Sequence, residues 1–273
     1  MKRPIAVLVM AAAVAACPGP EPRDPDATPG ATPTPTPVTT ASASATAASN
    51  GARTVSEETD AFLFEYSYPS QAGRIPGLAA LLDGRLARNR EELAKDAEDA
   101  RGEARSNGFP YNKHSYSAEW KVVAELPGWL SLSEDVSTYT GGAHGNYTRE
   151  SLVWDKTAGK AIDGIGLFVS PEALGEALGD KFCDGLDRER AKRRDAPVPE
   201  NSDDQFDQCP GLDELEVLVG SSNRRTFNRL TFYAGPYVAG AYAEGAYEVN
   251  INVDRAILDA VKPEYRAAFT ARN

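Results

Sequence analysis

The sequence predicts an α+β fold, with antiparallel sheets packed against helices in two closely associated modules. Two kinds of pattern predict this class. Segments in which aromatic or β-branched residues alternate with other residues indicate strands, and segments with apolar residues at three- and four-residue spacing indicate helices. The strands come in groups that look antiparallel, with helices between the groups, and this arrangement is typical of α+β proteins.

The first elements are expected to be a strand and a long helix. In the segment 61–69, "AFLFEYSYP", every second residue is aromatic, which indicates a strand. A helix is predicted over 75–106, ended by Asn107 and Gly108. Its apolar stripe consists of Ile75, Leu78, Leu82, Leu86, Leu93 and Ala97. A second strand, "HSYSAEWKVVAEL", follows with the same alternation.

The remaining elements alternate between strand groups and helices. The segments "WLSLSEDVSTYT" and "NYTRESLVWD" are predicted strands on either side of "GGAHG", and "DKTAGK" is a predicted turn. A helix is expected from Ser170, as the N-cap residue, through Pro171 to about Arg194. Three strands, "LEVLVG", "TFNRLTFY" and "AYEVNINV", come next, and a short helix is expected over 262–271.

The N-terminal residues 1–16 have the pattern of a secretory signal peptide, with a basic start, a short apolar run and small residues. The run is shorter than the roughly 20 apolar residues that span a bilayer. The tetrapeptide "VAAC" resembles a bacterial lipobox, which implies acyl chains such as palmitate on Cys17; the alternative is an ordinary signal peptide with a chance cysteine. We expect a lipid-anchored protein of the cell envelope that faces the periplasm, and Pro18 slightly favours the outer membrane.

Residues 17–54 are expected to form a linker. This segment is rich in Pro, Thr, Ala and Ser and has almost no large apolar side chains. Because such a composition cannot bury a core, we expect it to be disordered and to hold the folded part away from the membrane. The folded part is expected from about Val55 onward.

The charge of the chain limits the classes of partner that it is expected to bind. It has 29 basic and 40 acidic residues, and its formal net charge is −11. Nucleic-acid binding through phosphates requires clustered Lys and Arg, so no nucleic-acid partner is expected. The acidity favours a basic partner, although acidity also serves solubility alone.

The three cysteines predict one disulfide. With Cys17 assigned to lipid, Cys183 and Cys209 are the only other possible pair within the chain. A disulfide is the default in an oxidising compartment, and it would stabilise a charged segment that has little to bury. No CxxC motif and no nearby histidine accompany these cysteines, so neither a metal site nor a cofactor is expected.

Two further blocks carry a family resemblance. They are "YTGGAHGNYTRESLVWDKTAGKAI" and, near the end, "GPYVAGAYAEGAYEVNI". With the early strand "FEYSYP" and its long helix, they resemble the extracellular modules of the RsiV-like and PdaC-like families. The resemblance implies a PdaC-like module at 55–126 and an RsiV-like module at 127–273. It also implies a ligand-binding envelope protein; the RsiV ligand is lysozyme.

The departures from these families bear on catalysis. No transmembrane helix, sigma-factor-binding segment or deacetylase domain is recognisable, so we expect a binding module that is not an enzyme. Its expected partner is a basic protein such as lysozyme. The alternatives are peptidoglycan or another cell-wall glycan, and an unrecognised hydrolase in which His144 is the base. No GxSxG nucleophile motif supports the hydrolase.

The first block supplies five candidate residues. They are Tyr139, Gly141, Gly142, His144 and Asn146. The two glycines can adopt φ > 0, and a histidine after such a turn can bond a nearby carbonyl and orient the loop. A direct ligand contact is the alternative role.

The second block supplies three candidate residues, Tyr237, Tyr242 and Tyr247. Their rings either pack in a core or form an aromatic surface on which sugar rings stack.

Overall fold

The computed structural model describes residues 44–47 and 51–272, and these form an α+β fold, as predicted. The predicted signal peptide, the lipidated Cys17 and most of the predicted linker lie outside the described residues. Within the described ranges, no helix has both the length and the apolar composition needed to cross a bilayer.

A seven-stranded sheet forms the first half of the fold, and each strand pairs with the next along the chain. Its strands are β1 Ser44–Ala47, β2 Arg53–Glu58, β3 Phe62–Tyr68, β4 His114–Glu125, β5 Trp129–Tyr139, β6 Asn146–Asp155 and β7 Lys160–Ile162. The pair β3–β4 is parallel and the other pairs are antiparallel. The sheet is therefore mixed, because a long helical crossover connects β3 to β4 and returns the chain in the same direction.

Two helices form that crossover, α1 Ser70–Gly73 and α2 Pro76–Asn107. The predicted long helix is confirmed: Pro76 occupies its first turn, and Gly108 ends it in the left-handed region at φ 70°. Its buried residues are Leu78, Leu82, Leu86, Leu93 and Ala97. They pack against one face of the sheet and form the first core.

Residues of β5 and β6 alternate between the two faces of the sheet. Leu130, Leu132 and Leu152 belong to the first core, whereas Val153 belongs to a second core on the opposite face. Strands β4 and β5, which flank the predicted module boundary at 126/127, pair along most of their length. One sheet therefore supplies residues to both cores.

The second core lies under a three-stranded antiparallel sheet of order β10-β9-β8. Its strands are β8 Glu216–Gly220, β9 Arg229–Ala234 and β10 Tyr247–Asn252. Strand β8 packs against β4, β5 and β6 of the first sheet. The helices around this core are α3 Pro171–Leu178, α4 Lys181–Arg194 and α5 Arg255–Ala260, with α4 against β10 and α3 against α5.

Two helix predictions were wrong in part. The helix expected from Ser170 to Arg194 is interrupted after Leu178, because Gly179 adopts φ 52° and the chain turns before α4 begins. Its start was right, since the Ser170 hydroxyl accepts a hydrogen bond from the Ala173 amide at 3.1 Å. The final helix lies at Arg255–Ala260, where Asp254 caps it, rather than at 262–271.

The predicted linker also contributes to the sheet. Its residues 44–47 form β1, and β2 starts at Arg53, before the expected start of the folded part at Val55. An edge strand is held by backbone hydrogen bonds to its neighbour, so a segment without large apolar side chains can still pair.

The Cys183–Cys209 disulfide is confirmed, with an S–S distance of 2.07 Å. It joins the first turn of α4 to the loop that precedes β8.

Candidate functional site

The loop between β5 and β6 contains the glycines of the first block. Gly141 adopts φ 88°, as predicted, but Gly142 is not in the positive-φ region. The Gly141 carbonyl accepts a hydrogen bond from the Asn112 side-chain amide at 3.1 Å. At Gly145, a Cβ would lie 2.8 Å from the Thr138 carbonyl oxygen, so this position needs glycine for close approach.

His144 is held by contacts on both of its ring nitrogens. Its Nδ1 lies 2.8 Å from the Gly145 carbonyl oxygen, and since a carbonyl only accepts, Nδ1 is the donor. Its Nε2 lies 3.5 Å from the Tyr237 hydroxyl. The imidazole also stacks on the Tyr242 ring, with centroids 4.0 Å apart and planes 25° apart. The histidine is therefore oriented by its surroundings while its side chain stays exposed.

The two sequence blocks meet at this histidine. The Tyr242 hydroxyl donates to the Gly145 carbonyl at 2.7 Å. Its ring centroid lies 5.6 Å from that of Tyr237 and 6.1 Å from that of Tyr147. His144 and Tyr237 are 93 positions apart in sequence. We call the group formed by His144, Tyr147, Tyr237 and Tyr242 the ring patch.

Tyr237 is the most exposed tyrosine of the ring patch, at 54%. Its φ of 68° lies in the left-handed region, which is unusual for a bulky residue that is not glycine. Such a conformation costs on the order of 1–3 kcal/mol and persists only where the surroundings impose it. An exposed ring in a strained backbone conformation favours a functional role over a packing role.

The other candidate residues lie elsewhere. Tyr139 ends β5, paired with Ser115 of β4, and exposed Asn146 begins β6, so both flank the loop. One interpretation of the sequence placed Tyr247 in an aromatic surface with Tyr237 and Tyr242. The structure contradicts this interpretation. Tyr247 is 1% exposed and belongs to the second core, because β10 directs alternate side chains inward.

A cleft of about 600 Å³ adjoins the ring patch and shares Tyr147 with it. Its lining is Ser117, Glu119, Asp135, Val136, Ser137, Tyr147, Thr148, Arg149, Arg193, Tyr233, Glu244, Gly245, Ala246 and Glu248. The floor is the face of β4, β5 and β6 opposite α2, and the wall is the segment 244–248 with the end of α4. Hydroxyl and charged groups therefore surround a single opening.

Paired charges fix the floor of the cleft. Arg149 donates to Asp135 and to Glu248, at 2.5 Å in each case, and lies 4.9 Å above the Tyr233 ring. Lys121 donates to Asp135 at 2.9 Å. Burial opposes ionisation of Asp135, but the hydrogen bonds from Arg149 and Lys121 prevail and lower its pKa. Burial raises the pKa of Tyr233 to about 12.

Comparison with known proteins identifies the first part of the chain. The family model described as deacetylase PdaC matches residues 55–147. Residues 55–147 are similar to the PdaC family, and we call this stretch the PdaC-like module. The match covers about a third of the chain and extends past the predicted boundary at 126. His144 and Tyr147 lie inside the PdaC-like module, whereas Tyr237 and Tyr242 lie outside it.

Two solved structures are also similar to this chain at low identity. A DUF3298 family protein from Pseudomonas aeruginosa PAO1 is 16% identical with a TM-score of 0.45, covering 85% of this chain and 95% of that one. A DUF3298 family member from Bacteroides fragilis NCTC 9343 is 14% identical with a TM-score of 0.43, covering 78% and 88%. No curated protein sequence matches.

Two carboxyl groups with strongly raised pKa values lie away from the cleft. Burial, the largest influence, raises the pKa values of Glu134 and Glu216 to about 7, but neither residue lines the cleft. In the described part of the chain, no group of three or more His, Cys, Asp or Glu side chains is placed to hold a metal ion. The family that the PdaC-like module matches is nevertheless named for a deacetylase.

Sequence reasoning missed the cleft residues Arg149, Tyr233 and Arg193. A signal for the first was present, because the alternation of "NYTRESLVWD" puts Tyr147 and Arg149 on one face of a strand. No comparable signal existed for the others, since their place depends on how the second sheet packs on the first.

Proposed function

We propose that this chain is a lipid-anchored binding module of the bacterial cell envelope, without catalytic activity of its own, and that the ring patch contacts a basic protein ligand of the lysozyme type. The observation that carries the proposal is the ring patch: two sequence blocks converge on a group of contacting rings, in which His144 and Tyr237 are exposed and His144 stacks on Tyr242. The proposal extends the observed PdaC-like module to a ligand and a location.

The chemistry of the ring patch suits a protein ligand. Tyrosine supplies a large contact area with few rotatable bonds, so it loses little conformational entropy on binding, and tyrosines are enriched among the residues that dominate interface affinity. Tyr237 and Tyr242 are held by mutual ring contacts and by hydrogen bonds to the loop, so their positions are set before a ligand arrives.

Charge supports a basic ligand. The net charge of −11 attracts a cationic protein and accelerates its association at low ionic strength. The four carboxylates that line the cleft, Glu119, Asp135, Glu244 and Glu248, are already paired with Lys121, Arg149 and Arg194, so this attraction comes from the net charge of the whole chain. The disulfide is in keeping with an oxidising envelope compartment.

Titration calorimetry of the purified chain with a lysozyme, at low and at physiological salt, tests the proposal. We expect saturable binding at both salt concentrations, with an affinity that falls as salt rises because salt screens the attraction between the charges. Absence of binding at both salt concentrations would refute the proposal for this ligand class.

The polar floor of the cleft favours a second candidate function, the binding of a cell-wall glycan. Ser117 and Ser137 lie on the same face of the sheet as Tyr147, in directly paired positions, so hydroxyl groups and an aromatic ring share the cleft floor, an arrangement suited to a hydroxyl-rich ligand. Co-sedimentation with purified peptidoglycan tests it, with a Ser137→Arg variant that blocks the floor. Wild-type protein that stays wholly in the supernatant would end this alternative.

A further inference from the structure

Helix α4 directs three arginines at one segment of the second block. Most of the helix lies in the stretch between Cys183 and Cys209, which is rich in charged residues and has few apolar side chains to bury. The segment it reaches, residues 237–248, carries Tyr237 and Tyr242 of the ring patch and ends in the wall of the cleft. Contacts between these two stretches therefore bear directly on the candidate site.

Arg190 is the buried member of the three. Its guanidinium is completely inaccessible to solvent, which is rare for a charged group and requires hydrogen-bond partners. Nε donates to the Ala239 carbonyl at 3.0 Å, and Nη2 donates to the Gln208 carbonyl at 2.8 Å. Nη1 donates to the Asp207 carbonyl at 3.1 Å and to the Asp187 carboxylate at 2.9 Å. One side chain thus joins the disulfide loop to the ring-patch segment.

Arg193 and Arg194 hold the same segment further along. Arg193 stacks 4.0 Å above the Tyr247 ring and donates to the Glu244 carbonyl and, at 2.8 Å, to the Ala246 carbonyl. Arg194 bridges two carboxylates, with Nε 2.9 Å from Glu244 and Nη1 bonded to Asp207. Together the three arginines reach residues on both sides of Tyr242.

The disulfide anchors the loop that Arg190 and Arg194 contact. Cys209 directly follows Asp207 and Gln208, whose carbonyls bind Arg190, and its bond to Cys183 ties this loop to the first turn of α4. Asp207 is further held by the Ser202 hydroxyl at 2.6 Å. The loop is therefore anchored covalently and by hydrogen bonds at the point where Arg190 and Arg194 bind it.

We infer that Arg190, Arg193 and Arg194 form a clamp that sets the position of Tyr237 and Tyr242 in the ring patch, and that the Cys183–Cys209 bridge holds the loop on which the clamp closes. These arginines are positioning residues: they act through the segment 237–248 and do not belong to the ring patch themselves. The part of the inference that concerns ligand affinity rests on the proposed function, and the part that concerns ring position does not.

The test of ring position needs no ligand. The imidazole protons of His144 lie over the Tyr242 ring, so their NMR shifts report the stack. We expect Arg193→Gln and Arg194→Gln to move these shifts toward those of an unstacked histidine while the urea midpoint stays close to wild type. Arg188→Gln is the matched control, since Arg188 is an exposed arginine on the same helix. Unchanged His144 shifts in both clamp variants would overturn the inference.

Three further variants extend the test of ring position. Arg190→Met removes the buried charge and is expected to disrupt the stack, but it also risks misfolding. The variants of Arg193, which is exposed, and Arg194, which is half-buried, therefore carry the decision. Arg194→Lys keeps the charge and loses the two-carboxylate geometry, so a partial return of the His144 shifts is expected. The Cys183→Ala/Cys209→Ala double variant should move the same shifts, and unchanged shifts there would refute the role of the bridge.

A second readout links the clamp to ligand binding. If wild-type protein binds lysozyme, Arg193→Gln and Arg194→Gln should weaken binding by roughly three- to tenfold, the range for one lost hydrogen-bonded contact. Arg188→Gln should leave it unchanged. Wild-type protein that fails to bind contradicts the proposed function and leaves the His144 result to decide the clamp.

Discussion

The buried carboxyl group of Glu134 predicts that the fold loses stability as the pH rises from about 5 to 7. Glu134 lies on β5 under helix α2, and its Oε2 accepts a hydrogen bond from Arg85 Nη1 at 3.3 Å. None of the described groups is within hydrogen-bond reach of its Oε1. Burial, followed by repulsion from Glu150, outweighs the Arg85 contact and raises the pKa of Glu134 to about 7.

The sign of the effect follows from the protons bound. Between the ordinary pKa of 4.5 and about 7, the folded state keeps a proton on Glu134 that the unfolded state has released. The unfolding free energy therefore falls by up to about 1.36 kcal/mol per pH unit over this window, or about 3 kcal/mol in total. The decrease is nearly complete once the pH exceeds the folded-state pKa of about 7. Glu134→Gln imitates the protonated side chain and should remove this dependence.

Urea denaturation at pH 5, 6, 7 and 8 measures the effect. We expect the unfolding free energy of Glu134→Gln, minus that of wild type, to increase as the pH rises from 5 to 7. Between pH 7 and pH 8 this difference should stay nearly constant. Glu216→Gln should behave in the same direction, since burial raises the pKa of that carboxyl group to about 7 as well. Glu91→Gln, on the exposed face of α2, is the control. Identical pH profiles for Glu134→Gln and wild type would refute the reasoning.

Three further predictions concern stability and local geometry. Replacing Cys183 and Cys209 by Ala should lower the unfolding free energy by about 3–4 kcal/mol, because the bridge spans 26 positions; an unchanged urea midpoint would contradict this. Leu82→Ala, in the second turn of α2 and fully buried, should lower the unfolding free energy by about 2–5 kcal/mol in the same assay, and a loss of less than about 1 kcal/mol would place it outside the core. Gly145→Ala would put a Cβ 2.8 Å from the Thr138 carbonyl, so it should displace the loop and shift the His144 NMR signals; unchanged signals would count against the close approach.

The regular elements could be predicted from local patterns. The apolar stripe from Leu78 to Ala97 and the aromatic alternation in β3 each depend on one segment, and both are confirmed. The break at Gly179 was missed, because the apolar positions Leu174 and Leu178 continue in phase with Phe182 and give no sign of a turn. The parallel pairing of β3 and β4 depends on the direction in which α2 returns the chain, which local patterns do not encode.

The candidate site was predictable as parts and not as a whole. His144 and Tyr237 were each identified from their own block, but their contact joins residues 93 positions apart. The cleft combines β4, β5 and β6 with the segment 244–248, and no single stretch of sequence carries that juxtaposition. The aromatic pattern of the second block left the role of Tyr247 open between core and surface, and its alternation along β10 places it in the core.

The affinity of Tyr237→Ala for lysozyme, compared with that of Phe109→Ala, tests the central claim most directly. Both variants remove an exposed aromatic ring, with 54% and 70% exposure, but only Tyr237 belongs to the ring patch. A residue that dominates an interface loses about 2 kcal/mol or more on truncation, so Tyr237→Ala should bind at least about 30-fold more weakly. Phe109→Ala should bind like wild type. Equal affinities for the two variants would contradict the assignment of the ring patch as the ligand-binding site.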